Sequence, residues 1–430
     1  MNPLIMSLML LFLFNTSTMS YNFLKMDVIP PTFPESPFYD RNVRYQEMIS
    51  AATNQSNYRA SKYYHKPNHL SLDGVPQPQV HHHPLSLYSV RVGLGTPAKY
   101  YNLALDTGSN LIWLQCHECL NPPNKYFCQH GEQPYNCNLS DSCNLLNCSL
   151  NRSICLYERD CDGQLCQYDI SYRDGSHTRG YLATESFTFK GFNNNEGKYS
   201  LVFGCGTSQK NFYMSNGITP NEIAGIMGIS MGTHSLISQL KTFRWFSHSL
   251  CSTKTTYLTF GHELELHVSS YQQTALYINK GHYYVELSDI IVNGETFNIR
   301  NNVVGGPHLA VTDTGTPVTR LFKPYFTMVA QKLGQMYQQK SMFENTLCYR
   351  WNPNHILPTI TLVLGKAELR IQSEDAYTIF TDSDRGPILC LWMQPDDQMT
   401  IIGARALTNH EIVYYRKQQS NTLYIRSNAC

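Results

Sequence analysis

Two short stretches of the chain each place one carboxylate in a tight turn between apolar residues. The first reads ALDTGSNLIWLQC around Asp106, and the second reads LAVTDTGTPVTRL around Asp313. In both, an apolar run leads into Asp-Thr-Gly and apolar residues follow, which is typical of a strand that ends in a turn. An acid there is unlike an ordinary surface charge. Two such copies indicate an internal duplication in which each half supplies one aspartate.

A pair of aspartates has a defined chemistry when a fold brings the two side chains together. Two carboxylates about 3 Å apart cannot both ionise, so they hold one proton and titrate as a unit. The charged group can take a proton from a water molecule, while the protonated group polarises a carbonyl. Gly108 and Gly315 let the two loops meet without a Cβ clash. The motifs therefore predict hydrolysis by an activated water, with base and acid not assigned separately to Asp106 and Asp313.

A second pair of landmarks supports the duplication. Ile226-Met227-Gly228 follows the first Asp-Thr-Gly motif, and Ile401-Ile402-Gly403 follows the second. In each, a glycine comes after two apolar residues, where it allows another backbone to approach closely. Each half therefore carries the same two motifs in the same order, first Asp-Thr-Gly and then apolar-apolar-glycine.

The segments that must position these motifs alternate apolar and polar residues. YSVRVGLGTPAKYYNLALDTGS predicts a hairpin around Gly-Thr-Pro, and GYLATESFTFKG, TYLTFG, HYYVELSDIIVNGETFNI and ITLVLGKAELRI alternate in the same way. Two stretches have helical spacing: LISQLKTF after Ser235, and YFTMVAQKLGQM after Pro324, with Phe326, Val329, Leu333 and Met336 on one stripe. The expected fold class is mainly β with a few short helices.

Composition narrows the class of protein. The chain has 430 residues, of which 42% are hydrophobic and 15% are charged, with a net charge of +1. This length predicts two or three domains. The balanced charge disfavours nucleic acid and acidic membrane surfaces as partners.

The composition of the first 85 residues is typical of segments that are cleaved off during maturation. Leu4 to Phe14 form an apolar run that is too short to span a bilayer and fits a signal peptide at 1–20; a buried helix is the alternative. We interpret residues 21–85 as a prosegment and junction, with a disordered linker as the alternative. His81–His83 fit a solvated junction better than a metal site or pH sensor.

Cysteine usage indicates an oxidising compartment. The chain has 14 cysteines, an even number that predicts a disulfide framework. Zinc or redox chemistry at the Cys-His-Glu-Cys stretch 116–119 is the weaker alternative, because the other cysteines lack a suitable ligand spacing; no metal is expected. Sequons begin at Asn54, Asn138, Asn147 and Asn151. The candidate disulfide residues are Cys116, Cys119, Cys128, Cys137, Cys143, Cys148, Cys155, Cys161, Cys166, Cys205, Cys251, Cys348, Cys390 and Cys430.

From about Leu87 to Cys430 the paired motifs resemble those of the pepsin-like aspartic endopeptidases, in the plant secreted branch that includes the nepenthesins. The resemblance implies a bilobal fold: an N-terminal lobe at 86–250, a C-terminal lobe at 251–430 and a cleft between them. It also implies acid proteolysis without a cofactor, protein or peptide substrates, a monomer, and secretion to the extracellular space, with the vacuole as second choice. No membrane anchor is expected.

The resemblance further implies roles for residues around the dyad. Thr107 and Thr314 would lock the two loops together, while Ser109 and Thr316 would hydrogen-bond the outer carboxylate oxygens. Tyr172 resembles the tyrosine of the flap over the cleft, and Trp113 resembles its usual partner. A cross-strand aromatic is the alternative for Tyr172, and core packing is the alternative for Trp113.

The cysteine-rich segment 116–166 resembles the insertion typical of the nepenthesin branch, an exposed and glycosylated excursion held by its bridges. Two further bridges, Cys348–Cys390 and Cys251–Cys430, are implied by the same resemblance. The pairings inside the insertion stay open, because sequence alone does not fix them.

Three other kinds of function are alternatives to aspartic proteolysis. A pepsin-fold protein that binds or inhibits other hydrolases is the main alternative, and peptide cleavage at acid pH distinguishes the two. A structural disulfide-rich protein leaves the paired motifs unexplained. A serine hydrolase likewise leaves the paired Asp-Thr-Gly motifs unexplained, although residues 228–232 match Gly-x-Ser-x-Gly.

The prosegment interpretation predicts a latent precursor. Carboxylates that pair at neutral pH with its basic residues, which include Arg41, Arg44 and Lys62, are protonated in acid and release them. We expect acidification to remove residues up to roughly 70–90, read by N-terminal sequencing before and after the shift. A fully active protein with its N-terminus near Tyr21 would contradict this prediction.

Overall fold

The computed structural model describes most of the chain from Tyr88 onward and one earlier strand. The described ranges are 24–29, 88–120, 134–151, 154–155, 161–162, 164–171, 176–190, 196–210, 223–241, 243–251, 256–261, 270–303, 305–337, 340–343, 346–352, 356–382, 386–417 and 420–430. Tyr172, Asn54, Cys128, the predicted signal peptide and most of the predicted prosegment lie outside these ranges.

The described residues form strands joined by a few short helices. The strands up to the middle of the chain are β1 Leu24–Ile29, β2 Ser89–Leu94, β3 Lys99–Asp106, β4 Trp113–Gln115, β5 Asn144–Leu145, β6 Cys161–Asp162, β7 Leu165–Ser171, β8 His177–Lys190, β9 Glu196–Lys210, β10 Ile223–Gly228, β11 Trp245–Ser249 and β12 Thr256–Gly261. The later strands are β13 Gln272–Asn279, β14 His282–Val292, β15 Glu295–Thr296, β16 Leu309–Asp313, β17 Thr319–Phe322, β18 Lys340–Phe343, β19 Thr346–Arg350, β20 Ile360–Leu364, β21 Ala367–Ile371, β22 Tyr377–Asp382, β23 Gly386–Leu391, β24 Met393–Asp396, β25 Thr400–Gly403, β26 His410–Tyr415 and β27 Asn421–Ser427. The α-helices are α1 Leu236–Gln239, α2 Ile299–Asn302, α3 Lys323–Met336, α4 Ser373–Ala376 and α5 Ala404–Leu407.

The same strand arrangement occurs twice. In the first lobe β3 runs parallel to β10, with Asp106 opposite Gly228. In the second lobe β16 runs parallel to β25, with Asp313 opposite Gly403. The next strands repeat as well: β4 is antiparallel to β10 and parallel to β9, while β17 is antiparallel to β25 and parallel to β24. The backbone thus has the duplication that the paired motifs predicted, and the fold is mainly β and bilobal.

A set of antiparallel strands joins the two halves. Strand β11 lies between β12 and β26, and β26 continues through β27 to β13. Strand β1 pairs with β12, with Leu24 opposite Phe260 and Val28 opposite Thr256, and its end pairs with β2. Because β1 falls within the range predicted as prosegment, removal of residues 21–85 would take a strand out of this sheet.

Apolar side chains from both halves form one large buried cluster. At its centre the rings of Phe246 and Tyr414 stack with centroids 4.5 Å apart, and Tyr283 packs on Tyr414 at 4.7 Å. Such contacts between strands distant in sequence fix the two halves against each other.

The predicted helices are present with different lengths. Helix α3 contains Pro324 in its first turn and buries Phe326, Val329 and Leu333, as the helical stripe predicted. Helix α1 is shorter than the predicted stretch LISQLKTF and ends at Gln239. The Gln239 side chain there bonds the main chain of Val202, accepting from its N–H at 2.6 Å and donating to its carbonyl at 2.9 Å.

Disulfides connect several of these elements. Among the described cysteines, the bonds with both partners placed are Cys116–Cys205, Cys137–Cys143, Cys148–Cys161, Cys155–Cys166, Cys251–Cys430 and Cys348–Cys390. The last two are the pairs that the family resemblance implied. Cys116, the first residue of the candidate zinc stretch, is bonded to Cys205 on β9, outside the insertion. None of the described helices has the length and apolar character of a transmembrane span.

Candidate active site

The two aspartates lie at equivalent strand ends. Asp106 is the last residue of β3 and Asp313 the last residue of β16, and both side chains are fully buried. After each, the chain makes a tight turn, because the amide of Ser109 donates to the Asp106 carbonyl and the amide of Thr316 donates to the Asp313 carbonyl. Strand pairing and turn geometry therefore place each carboxylate at the end of a strand, where the turn begins.

Each carboxylate accepts hydrogen bonds from its own turn. One oxygen of Asp106 accepts from the Gly108 amide at 2.8 Å, and the other accepts from the Ser109 hydroxyl. Asp313 repeats this pattern: the Gly315 amide donates at 2.9 Å and the Thr316 hydroxyl at 2.7 Å. These bonds fix the plane of each carboxylate, and Ser109 and Thr316 have the partners that the family resemblance implied.

A reciprocal set of hydrogen bonds joins the two turns. The Thr107 amide donates to the Thr314 hydroxyl oxygen at 3.0 Å, and the Thr314 amide donates to that of Thr107 at 2.9 Å. The two hydroxyls donate onward, from Thr107 to the Thr312 carbonyl at 3.1 Å and from Thr314 to the Leu105 carbonyl at 3.0 Å. We call this set the threonine grip. It fixes the two turns relative to each other, the function that the resemblance implied for Thr107 and Thr314.

The grip brings the first turn against the second carboxylate. A Cβ added to Gly108 would lie 2.7 Å from the Asp313 carboxylate carbon and from both of its oxygens. Real Cβ atoms do not approach so closely, so only glycine allows the turn to pass at this distance. The two Asp-Thr-Gly motifs therefore converge on a single site.

Apolar side chains on the first lobe form a wall beside Asp106. Trp113 on β4 is 1% exposed and packs in a buried cluster with Ala104 and Ile226, which precede Asp106 and Gly228 by two positions. Because strand side chains alternate, Ala104 lies on the same face of its strand as Asp106. This packing is compatible with both interpretations of Trp113, as the partner of the flap tyrosine and as a core residue. Its predicted partner Tyr172 lies in the connection between β7 and β8, outside the described residues.

The cysteine-rich insertion contributes to this wall. Leu146, Cys148 and Cys155 belong to the same cluster as Trp113, and all three are buried. Main-chain bonds hold the segment in place, since the Leu146 amide donates to the Leu182 carbonyl at 3.0 Å and its carbonyl accepts from the Cys166 amide at 2.9 Å. The insertion was expected to be an exposed excursion, but part of it is packed against the candidate site because its disulfides are apolar.

A buried carboxylate outside the dyad also anchors this insertion. Glu185 on β8 accepts from the hydroxyl of Ser142 at 2.6 Å and from that of Tyr135. Burial, followed by the hydrogen bond to Glu185, raises the pKa of Tyr135 above its ordinary value, so this phenol stays a donor. Of the predicted glycosylation sites, Asn138 is exposed, whereas Asn147 and Asn151 are partly buried. The Asn151 side-chain amide donates to the Asn147 carbonyl at 3.0 Å.

The second lobe has a smaller wall of a different kind. Val311 and Ile401, which precede Asp313 and Gly403 by two positions, form a buried cluster with Met399, and Tyr284 packs against it. Below the grip lies a further group that no sequence motif revealed: the Tyr414 hydroxyl donates to the Thr312 side chain at 3.1 Å. No sequence motif marks Tyr414, because its hydrogen bond to Thr312 depends on strand pairing between distant segments.

Comparisons with known proteins identify related sequences. The family model described as "Xylanase inhibitor N-terminal" matches residues 88–262, and the one described as "Xylanase inhibitor C-terminal" matches residues 282–422. Aspartic proteinase nepenthesin-1 of Nepenthes gracilis is 28% identical over 355 residues, covering 76% of this chain and 75% of that protein. Aspartic proteinase nepenthesin-2 of the same plant is 32% identical over 257 residues, covering 57% of this chain and about half, 54%, of its own length.

A solved structure shows the same fold. Basic 7S globulin from soybean has a TM-score of 0.62 and 18% sequence identity, covering 80% of this chain and 94% of its own. The fold and the paired aspartate turns define a two-lobed pepsin-type protein. With the family-model and sequence matches, the chain belongs to the plant pepsin-like, nepenthesin-like family of aspartic proteinases.

The close approach at Gly108 predicts a specific loss. In Gly108→Ala the added methyl group would displace the Asp313 carboxylate, since all of its atoms are too close. For the peptidase activity proposed below, we expect at least a hundredfold loss of kcat with a folded protein, because an error of about 1 Å in the geometry of the reacting groups costs on the order of that factor. Peptide hydrolysis and circular dichroism measure the two effects.

Gly334 offers a control for that experiment, because a Cβ there meets no atom within 4 Å. It is exposed on helix α3, where alanine is readily accommodated, so Gly334→Ala should keep both the fold and the activity. Full activity in Gly108→Ala would contradict the inferred convergence of the two turns.

Proposed function

We propose that the protein is an aspartic endopeptidase that hydrolyses peptide bonds at acid pH. The observation that carries this proposal is the twofold hydrogen-bond pattern of Asp106 and Asp313, joined by the threonine grip. It supports a rigid pair of carboxylates in one buried site, which is the arrangement that a shared proton requires.

In the proposed reaction the pair holds one proton and a water molecule. The ionised carboxylate takes a proton from the water, whose oxygen attacks the peptide carbonyl carbon. The protonated carboxylate hydrogen-bonds the carbonyl oxygen and stabilises the charge that develops there. Collapse of the tetrahedral intermediate breaks the C–N bond as a proton passes to the nitrogen. The hydrogen bonds from Gly108, Ser109, Gly315 and Thr316 keep both carboxylates in place through these steps.

The cellular setting belongs to the same proposal. The abundance of disulfides supports folding in an oxidising compartment. We therefore place the enzyme outside the cell, with the vacuole second, as a monomer that is made with a signal peptide and prosegment and glycosylated at one or more sequons. The proposed substrates are proteins or peptides.

A binding protein is the second candidate. The matching family models carry the description xylanase inhibitor, which favours a pepsin-fold protein that binds another hydrolase. Such a protein has no need of two converging carboxylates with a complete set of donors. Peptide cleavage by the purified, acid-activated chain separates the two candidates.

Substitution of either aspartate tests the mechanism. We expect Asp106→Asn and Asp313→Asn each to abolish peptide hydrolysis, because an amide can neither serve as base nor supply the shared proton. The fold should persist, since asparagine is nearly isosteric. Activity close to that of the unmodified protein in either variant, measured with a fluorogenic peptide, rules out the dyad mechanism.

A plot of the peptide cleavage rate against pH should be bell-shaped, with its maximum at about pH 2–5. A second proton on the pair removes the base, and loss of the only proton removes the acid. Cleavage by pre-activated enzyme from pH 2 to pH 8 measures the profile without interference from maturation. A maximum above pH 7, or a single titration near the ordinary pKa of histidine, would be incompatible with catalysis by the two aspartates.

A further inference from the structure

Beneath the threonine grip lies a buried column of side chains that the proposed reaction does not use. It consists of His248 on β11, Tyr414 on β26 and Thr312 on β16, the residue that precedes Asp313. All three are buried, with at most 1% of their surface exposed. We call this group the floor column.

The hydrogen bonds of the floor column define its proton positions. The Tyr414 hydroxyl donates to the Thr312 side-chain oxygen at 3.1 Å, and the His248 Nε2 atom lies 3.4 Å from the same Tyr414 oxygen. A phenol has one proton, and Tyr414 gives it to Thr312. His248 Nε2 must therefore carry a hydrogen and donate to Tyr414, in a long hydrogen bond.

The column connects directly to the grip. The main-chain carbonyl of Thr312 accepts from the Thr107 hydroxyl at 3.1 Å, while its side chain accepts from Tyr414. The Thr107 oxygen in turn accepts from the Thr314 amide at 2.9 Å. Thr312 is thus held from two directions, from the first lobe through Thr107 and from the joining sheet through Tyr414.

We propose that His248 is a positioning residue for the two aspartates, acting through Tyr414 and Thr312 on the loop that carries Asp313. The catalytic consequence rests on the proposed function. The structural consequence, a more rigid threonine grip, does not.

The surroundings of His248 require a neutral ring. Across the sheet it faces Leu258 on β12 and Ile412 on β26, and its ring packs against Tyr414. Among the described residues, the ionisable groups connected to this ring are Tyr414, which it contacts, and Tyr283 and Asp313, which interact with Tyr414. Arg416 lies further out and interacts with Tyr283. Among the described residues no carboxylate hydrogen-bonds His248, and its Nδ1 atom has no hydrogen-bond partner. A charged imidazole would be buried there without a counterion.

Burial accordingly lowers the pKa of His248 from 6.5 to about 3. Because the unfolded chain binds this proton more readily, the stability contributed by the neutral ring is complete above about pH 6.5 and is lost as pH falls toward 3. The floor column should therefore loosen at the acid end of the proposed working range.

Two variants and a control test the inference. His248→Leu removes the donor, while His248→Gln keeps a donor that cannot become charged. His410→Leu is the control, because His410 is also fully buried with a lowered pKa but bonds the Thr408 carbonyl instead of the floor column. The measurements are kcat and KM on pre-activated enzyme at pH 5, the pH profile, and hydrogen exchange at the Thr107 and Thr314 amides.

We expect His248→Leu to lower kcat and to speed both amide exchange rates, each by up to about tenfold, which is the worth of one hydrogen bond. KM should change little. His248→Gln should restore both values and move the acid limb of the profile to lower pH, whereas His410→Leu should leave the exchange at the grip unchanged.

Wild-type kcat and exchange in His248→Leu would overturn the inference, as would equal effects of His410→Leu. If the unmodified protein cleaves no peptide, the proposed function fails instead. The exchange rates at Thr107 and Thr314 still decide whether His248 holds the grip.

Discussion

Two carboxylates that converge in a buried site repel each other, and the architecture of this protein depends on holding them together. At an effective dielectric constant of 20, two like charges 4 Å apart cost about 4 kcal/mol. In the proposed mechanism one shared proton removes much of that cost. The Gly108 and Gly315 amides and the Ser109 and Thr316 hydroxyls donate hydrogen bonds that favour the charged form of the carboxylates. The threonine grip supplies the rest of the restraint, since each turn donates to the other.

This requirement explains why the strand layout occurs twice. A carboxylate on the last residue of a strand is positioned by the neighbouring strand, so Asp106 needs β10 and Asp313 needs β25. Glycine must stand opposite each aspartate, because a Cβ on Gly228 would lie 2.7 Å from the Leu111 carbonyl and one on Gly403 would lie 2.5 Å from the Thr316 carbonyl. Duplication of one lobe therefore provides both halves of the site.

The parts of this arrangement that depend on residues close in sequence were predictable, whereas the parts that depend on pairing between distant strands were not. The Asp-Thr-Gly turns, the apolar-apolar-glycine strands and helix α3 are encoded within a few residues, and each was predictable. The Cys116–Cys205 bond was not, because it depends on the parallel register of β4 and β9, which places Leu114 opposite Cys205. His248 and Tyr414 went unrecognised for the same reason: they meet only because β11 pairs with β26.

The two lobes share the geometry of the aspartate turns but differ in the walls around them. On the first lobe, Trp113 packs against Leu146 and the buried disulfide residues of the insertion, so part of that wall is fixed by covalent bonds. On the second lobe, Val311, Met399 and Ile401 form a small aliphatic cluster with Tyr284 beside it. The two aspartates are held by equivalent turns, with Ser109 in one and Thr316 in the other, so the immediate surroundings of the two carboxylates are nearly symmetric. The walls carry no such constraint, so recognition on the two sides of the site is free to differ.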